Sequence, residues 1–235
     1  MSAITSIKRP AKARGHMKID WLESWHTFSF GDYYDPNHEG FRELRVINED
    51  YIAPRSGFPM HPHRNMEILT YVISGELTHR DSMGNARTVH AGQAQYMSAG
   101  SGVTHSEIND SAEKTAHILQ IWIFPEASGG KPAYAEWSPA KTGPVPLTLM
   151  ASSDGKDRSL TLRQNAEIYL GELQAGQTAI HATQPQRSLW LQMISGELKA
   201  EKKDLSAGDG LAIENASAFE IVAKTGARFL LFDLP

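Results

Sequence analysis

The pentapeptide ISGEL occurs twice in this chain, at 73–77 and at 194–198. Each copy follows an apolar run (EILTYVIS, 67–74; LWLQMIS, 189–195) and precedes an Ala-Gly pair, Ala91-Gly92 and Ala207-Gly208. Five identical residues can coincide by accident, but a shared order of strand, turn, strand and turn points to a duplicated β-domain. The chain is therefore expected to fold as two similar β-barrels in tandem.

The rest of the sequence agrees with that expectation. Helical periodicity is scarce, whereas short β-branched and aromatic runs bounded by Gly, Asn, Asp and Pro recur throughout. Besides the two runs above, strands are expected at FRELRVINEDYIAP (41–54), AQYMSAG (94–100), AHILQIWIF (116–124), SLTLRQ (159–164), IYLGEL (168–173) and ARFLLFDL (227–234). Many short strands joined by turns make sandwiches or barrels. The segment PEASGGKPAYAEWSPAKTGPVP (125–146) holds five prolines and a Gly-Gly pair, a composition that resists both helix and central strand. The expected division is a first domain over 1–130, a linker over 131–146 and a second domain over 147–235.

At 235 residues the chain can bury a sizeable core, and its formal charge of −4 gives no bulk electrostatic basis for binding nucleic acid. The basic run KRPAKAR (8–14) is expected to be a solvated N-terminal arm. With no cysteine, a disulfide framework, a thiolate metal site and a cysteine nucleophile are all excluded, so any metal must be held by nitrogen and oxygen. The first thirty residues contain no signal-peptide h-region and no run has the length of a membrane span, so a cytoplasmic protein is expected.

Histidines supply the chemical signal. Residues i and i+2 of a strand face the same way with Cα atoms roughly 6.6 Å apart, so His61 and His63 can converge on one ion. Pro62 between them fixes its own φ and biases His61 towards extended backbone. His105 and Glu107 repeat the spacing in a segment that follows the glycine-rich turn AGSG (99–102). Three imidazoles and one carboxylate suit iron, nickel, manganese, cobalt, copper or zinc, with coordination positions left open for a substrate or dioxygen.

Glu67 shares the strand parity of His61 and His63 and competes for the fourth ligand place. It lies four residues beyond His63, a displacement of roughly 13 Å in a regular strand, and reaches the ion only if the strand bends sharply. Glu107 needs no such bend. His79 and His90, flanking the turn DSMGN (81–85), are expected at the surface, and His117 in the core or behind the ligands. His16, His26, His38 and His181 lack ligand spacing. The aromatic run Trp21, Trp25, Phe28, Phe30, Tyr33 and Tyr34 is expected to pack as a strand, with Trp25, Thr27 and Ser29 on one face and His26, Phe28 and Phe30 on the other. A wall for a flat ligand is the alternative.

Gly57, His61, His63 and Glu67, then Gly92, Gly100, Gly102, His105 and Asn109, resemble the two motifs of the cupin superfamily, with Ser98 where proline is usual. WLESWHTFSFGDYYDP (21–36), HPHRNMEILTYVISGE (61–76), DSMGN (81–85), SAGSGVTHSE (98–107) and LQIWI (119–123) resemble the pirin family, closely over 14–125 and more loosely afterwards. The resemblance implies an all-β bicupin of two double-stranded β-helix (jelly-roll) barrels. Only the first would carry a metal, commonly Fe(II), on His61, His63, His105 and Glu107. The second barrel has IHATQPQRS (180–188) in place of MHPHRNME (60–67) and is expected to hold no metal.

Bacterial members of the family include quercetin 2,3-dioxygenases, and eukaryotic nuclear members are transcriptional cofactors. The implied function is a metal-dependent dioxygenase that opens the central ring of quercetin or a related flavonol with O2, Glu107 taking the 3-hydroxyl proton. The alternative is an iron-binding regulatory or sensor protein acting through a protein partner, with flavonol cleavage a side activity. A monomer without direct nucleic-acid or membrane contact is expected. No glycine-rich phosphate loop calls for an organic cofactor.

Overall fold

A computed structural model describes residues 4–140, 145–184 and 186–235. Residues 141–144 of the expected linker, and Pro185 within IHATQPQRS, lie outside the described residues. The first strands are β1 (Thr5–Arg9), β2 (Gly15–Lys18), β3 (Leu22–His26), β4 (Leu44–Ile52), β5 (Ser56–His63), β6 (Glu67–Ser74), β7 (Glu76–Asp81), β8 (Ala86–His90), β9 (Ala94–Ser98), β10 (Val103–Asn109), β11 (Ala116–Ile123) and β12 (Ala133–Trp137). They are followed by β13 (Leu147–Ser152), β14 (Leu160–Thr161), β15 (Glu167–Leu173), β16 (Thr178–Ala182), β17 (Ser188–Ser195), β18 (Glu197–Ala200), β19 (Lys203–Ser206), β20 (Gly210–Glu214), β21 (Ala218–Ala223) and β22 (Ala227–Leu234). Helix is confined to two short 3-10 turns, Ala11–Ala13 and Lys156–Arg158, among the described residues.

The chain divides into two compact units, one of Gly15–Pro139 with Leu162–Gln164, the other of Met1–Arg14, Ala140–Thr161 and Asn165–Pro235. Each unit is a cupin barrel built from a seven-stranded and a four-stranded sheet. In the first unit the sheets run β12-β9-β6-β11-β4-β3-β2 and β5-β10-β7-β8; in the second they run β1-β20-β17-β22-β15-β13-β14 and β16-β21-β18-β19. The four-stranded sheets and the central strands β9-β6-β11-β4 and β20-β17-β22-β15 match in order, whereas the outer strands differ: β13 and β14 pair in parallel where β2 and β3 are antiparallel.

The ISGEL repeats make the same turn in both units, β6 to β7 and β17 to β18. Its glycine has φ 79° at Gly75 and 77° at Gly196, the left-handed region that side chains avoid. A Cβ would also stand 2.8 Å from the Thr115 carbonyl oxygen at Gly75 and 2.0 Å from that of Gly226 at Gly196. No other residue fits there, which explains why the glycine of the repeat recurs.

Two expectations about the ends of the first unit need correction. The basic run is not a solvated arm. Thr5–Arg9 pairs with β20, from Thr5 opposite Glu214 to Arg9 opposite Gly210, so these residues belong to the second unit rather than to a domain starting at residue 1. Lys8 Nζ lies 2.7 Å from Asp209, whose other oxygen accepts the Ala11 N–H at 2.8 Å. Without this strand β20 would leave a row of backbone groups unpaired. The expected linker likewise contains structure: Ala133–Trp137 is the edge strand β12, paired with β9 from Ala133 opposite Ser98 to Trp137 opposite Ala94. Pro132 and Pro139 flank this strand instead of interrupting it, as an edge position permits.

The barrels differ in their filling. In the second, Leu189, Leu191, Met193, Leu198, Leu205, Phe219, Ile221, Phe229 and Leu231 form part of one continuous apolar cluster. In the first, the described apolar groups include one with Ile52, Val72, Leu77 and Ile118 and another with Ile68, Met97 and Val103. Between them the inward positions turn polar: β6 reads Ile68, Thr70, Val72, and β11 reads Ile118, Gln120, Trp122. Burying polar side chains costs free energy unless each finds a partner, so this middle layer needs a reason.

Candidate metal centre

That layer holds the predicted site residues. β10 lies between β5 and β7, with His105 opposite both His61 and Asp81, and Glu107 opposite both Phe58 and His79. The β5 register slips between His105 and Glu107, giving β5 one extra residue there. The bulge keeps His61 and His63 facing inward. Close by, Gly57 lets the strands approach, since a Cβ would sit 2.2 Å from the Glu107 carbonyl oxygen.

His61, His63 and His105 form a triangle of rings with centroids 4.5 to 4.9 Å apart, and one nitrogen from each lies within 4.8 Å of the others. His61 donates its Nδ1–H to the Pro59 carbonyl oxygen at 2.7 Å; a carbonyl can only accept, so Nε2 is left with a free lone pair. Burial, with His61 beside it, pushes His63 down to about 4. Burial, with His61 and His63 close, pushes His105 down to about 2. The His63 and His105 rings are therefore neutral near pH 7. His105 Nε2 is buried without a hydrogen-bond partner. Converging imidazoles with a buried unpartnered nitrogen fit a first-row divalent ion.

Glu107 stands differently. It shares the inward face with His105, and groups with His105 and His79 within 4.8 Å, not with His61 and His63. Its Oε1 accepts from Thr70 Oγ1 at 2.9 Å and Gln95 Nε2 at 2.6 Å, and its Oε2 accepts from Gln120 Nε2 at 2.7 Å. Burial pushes its carboxyl above the usual range, against the opposing pull of His79 and the Thr70 hydrogen bond. Glu67 belongs to neither group and is fully engaged elsewhere, accepting from Tyr96 Oη, from Ser98 Oγ at 2.7 Å and from the Arg163 N–H at 3.0 Å. Ser98, where the cupin motif usually has proline, is therefore a partner of Glu67.

Sequence reasoning placed His79 at the surface; the structure buries it completely, with its Nε2 2.9 Å from Asp81 Oδ2. Strand parity carried the missing signal, because Leu77, His79 and Asp81 alternate onto one face and Leu77 is core. His90 is exposed, 3.5 Å from Glu76. His117 bonds Glu49 at 2.9 Å and stacks on Tyr51, on the strand parity opposite to Gln120. Of the aromatic run, Phe28 is core, while Phe30 meets Trp122 edge-on at 5.4 Å and Trp122 meets His63 at 5.0 Å. The expected strand through Phe30 is shorter, because β3 ends at His26, and it is the chain beyond it that brings an aromatic contact to the site.

The register of the second barrel places His181 opposite Phe219, where the first has His61 opposite His105, and Ala200 opposite Ile221, where the first has His79 opposite Glu107. His181 is bonded to Asp233 at 2.8 Å.

The pirin family model matches residues 7–123, and that of the quercetinase C-terminal cupin domain matches 149–234. Quercetin 2,3-dioxygenase of Escherichia coli K12 is 45% identical over 228 residues, covering 97% of each chain. The chain belongs to the pirin family. A pirin-like protein of Caulobacter vibrioides is 39% identical, over 96% of this chain and 98% of its own. Among solved pirins, bacterial YhhW from Escherichia coli in complex with nickel(II) superposes with a TM-score of 0.94 at 44% identity, over 98% of this chain and 99% of that one. No helix among the described residues is long and apolar enough to cross a membrane.

Proposed function

We propose that this pirin is a metal-dependent dioxygenase that opens the central ring of quercetin or a related flavonol with O2, incorporating both oxygen atoms and releasing carbon monoxide. His61, His63, His105 and Glu107 would hold one divalent metal, Fe(II) first, with nickel, manganese, cobalt, copper and zinc as the other candidates. When bound, the metal supplies Lewis acidity towards the flavonol 3-oxygen and open positions for the reacting oxygens. The observation that carries this reading is the convergence of three imidazoles on the polar layer of a barrel whose twin holds Phe219 and Ile221 at the corresponding places.

The chain's own groups have separable roles. Pro59 orients His61, and burial keeps water from His105. Glu107, grouped with His105 on the inward face, takes the 3-hydroxyl proton. Thr70, Gln95 and Gln120 hold that carboxylate in place. The edge contacts of Phe30, Trp122 and His63 give a flat polyphenol an apolar border. A cytoplasmic monomer acting on a small molecule completes the reading.

The test is to strip the purified protein of metal, reload it with each candidate ion and follow aerobic loss of quercetin together with carbon monoxide release. Turnover with at least one ion is expected. Tight metal binding without turnover under any ion would favour the iron-binding regulator acting on a protein partner.

A further inference from the structure

We propose that Asp81, acting through His79, fixes the tautomer of His105 so that its Nε2 faces the metal without a proton. This deepens the reading of His105 as a metal ligand and rests on it. Asp81 and His79 are then positioning residues, in series behind that ligand.

The inference comes from counting donors. The Asp81 and His79 side chains are wholly buried. Asp81 Oδ1 accepts the backbone N–H groups of Met83 at 2.9 Å and Asn85 at 3.1 Å, and Oδ2 accepts Asn85 Nδ2 at 2.8 Å. A carboxylate ringed by donors has nothing to give, so the 2.9 Å contact from His79 Nε2 must carry a hydrogen on the imidazole. In the neutral imidazole Nδ1 is then bare. His105 Nδ1 lies 3.3 Å from it. Two bare nitrogens would repel and two N–H groups would collide, so His105 Nδ1–H donates to His79 Nδ1. What remains on His105 is a bare Nε2, the same atom that is buried without a partner.

Two further observations support a fixed chain of bonds. The Tyr134 ring stacks on His79 with centroids 4.6 Å apart and planes 25° apart, which holds the imidazole against rotation. His61 reaches the same tautomer by a separate route, through the Pro59 carbonyl. Ligating histidines need their second nitrogen engaged in this way to keep ring orientation and basicity. The strand geometry supplies both links at once, since His79 and Asp81 share a face of β7 directly opposite Glu107 and His105.

His79, His105 and Glu107 also lie close enough to be read as a metal group of their own. The donor count argues otherwise. His79 Nδ1 already accepts a hydrogen bond from His105, so its one lone pair is taken.

The experiment uses the full chain labelled with 15N-histidine. Long-range proton–nitrogen correlation spectra of the metal-free protein report each tautomer, and chelator competition with Fe(II) or Ni(II) reports affinity. The wild type is expected to show His105 as the Nδ1–H form and His79 as the Nε2–H form. In Asp81→Asn, an amide of the same shape can donate to His79 Nε2 and reverse the chain. His105 should then change to the Nε2–H form and metal affinity should fall by about 10- to 100-fold, the range for loss of an outer partner of a ligand.

His79→Asn keeps an acceptor near the Nδ1 position and should bind metal more tightly than His79→Leu, which offers none; this pair decides the matter if Asp81→Asn does not fold. Finding His105 as the Nε2–H form in the wild type would overturn the proposal. So would unchanged tautomer and affinity in Asp81→Asn, equal affinity in the two His79 variants, or a second bound metal lost with His79. A wild type that binds neither ion would instead overturn the metal reading, which the tautomer spectra of the metal-free protein do not depend on.

Discussion

His61 and His105 stand directly opposite each other across the β5–β10 pair, with ring centroids 4.5 Å apart. The backbone pairing of β5 with β10 fixes their Cα positions, and neither side chain is part of the apolar packing. His61→Ala should therefore leave the barrel intact while removing a ligand. Metal affinity should fall on the order of 100-fold or more, beyond the ~10–100-fold typical for losing an outer partner, and the thermal midpoint of the metal-free protein should barely change. Chelator competition and thermal melts measure the two effects; undiminished affinity would remove His61 from the ligand set.

Glu67 and Glu107 should separate on stability and metal binding. Glu67→Ala strands the Tyr96 hydroxyl, the Ser98 hydroxyl and the Arg163 N–H in a buried setting, at a cost of about 3 kcal/mol. It should retain most of its metal. Glu107→Ala should weaken metal binding and abolish quercetin turnover. Denaturant titrations beside metal analysis of both variants decide this, and the assignment fails if Glu67→Ala is the one that releases the ion.

How much of this was legible in the sequence depended on where each residue's partners lie. The strands Glu67–Ser74 and Ala227–Leu234 coincide with their apolar runs because both are central and covered on both faces. β1 was illegible because Thr5–Arg9 has no apolar run and its partner lies some two hundred residues away. The fold class followed from ISGEL, whose glycine geometry permits no substitute. The two His-X-His/Glu pairs were legible because ligand spacing is local, whereas Thr70, Gln95 and Gln120 are recognisable only once β6, β9 and β11 are placed around Glu107. His79 was misread because the neighbouring turn outweighed its strand parity.

Asp50 gives the metal-free protein a distinctive pH response. Its carboxyl is fully buried, accepts from Ser24 Oγ and is pushed up to about 7, chiefly by burial and further by Glu107 and Glu49. A raised carboxyl keeps its proton in the folded state after the unfolded chain has lost it, so stability falls as pH rises from about 4 to about 7 and then levels off. The loss is on the order of a few kcal/mol. Asp50→Asn should flatten that slope. Urea titrations across pH 4 to 8 test it, and an unchanged slope in the variant would assign the response to another group.

Asp233 should act in the opposite sense and in the other barrel. It accepts from His181 at 2.8 Å and from the Arg187 guanidinium, whose NH2 group also donates to the Asp233 carbonyl at 2.7 Å. Burial alone would raise its carboxyl, but the hydrogen bonds from His181 and Arg187 outweigh it and hold the group below the usual range. Its contribution is therefore present above the unfolded value and is lost as pH falls through the lower folded one. Asp233→Ala leaves the mostly buried Arg187 without its carboxylate, and should cost about 3 kcal/mol at neutral pH, with much of the difference gone in strong acid. Because the candidate ligands lie in the other unit, the variant should still bind one metal per chain. A variant as stable as the wild type at pH 7, or one that loses its metal while still folded, would contradict this assignment.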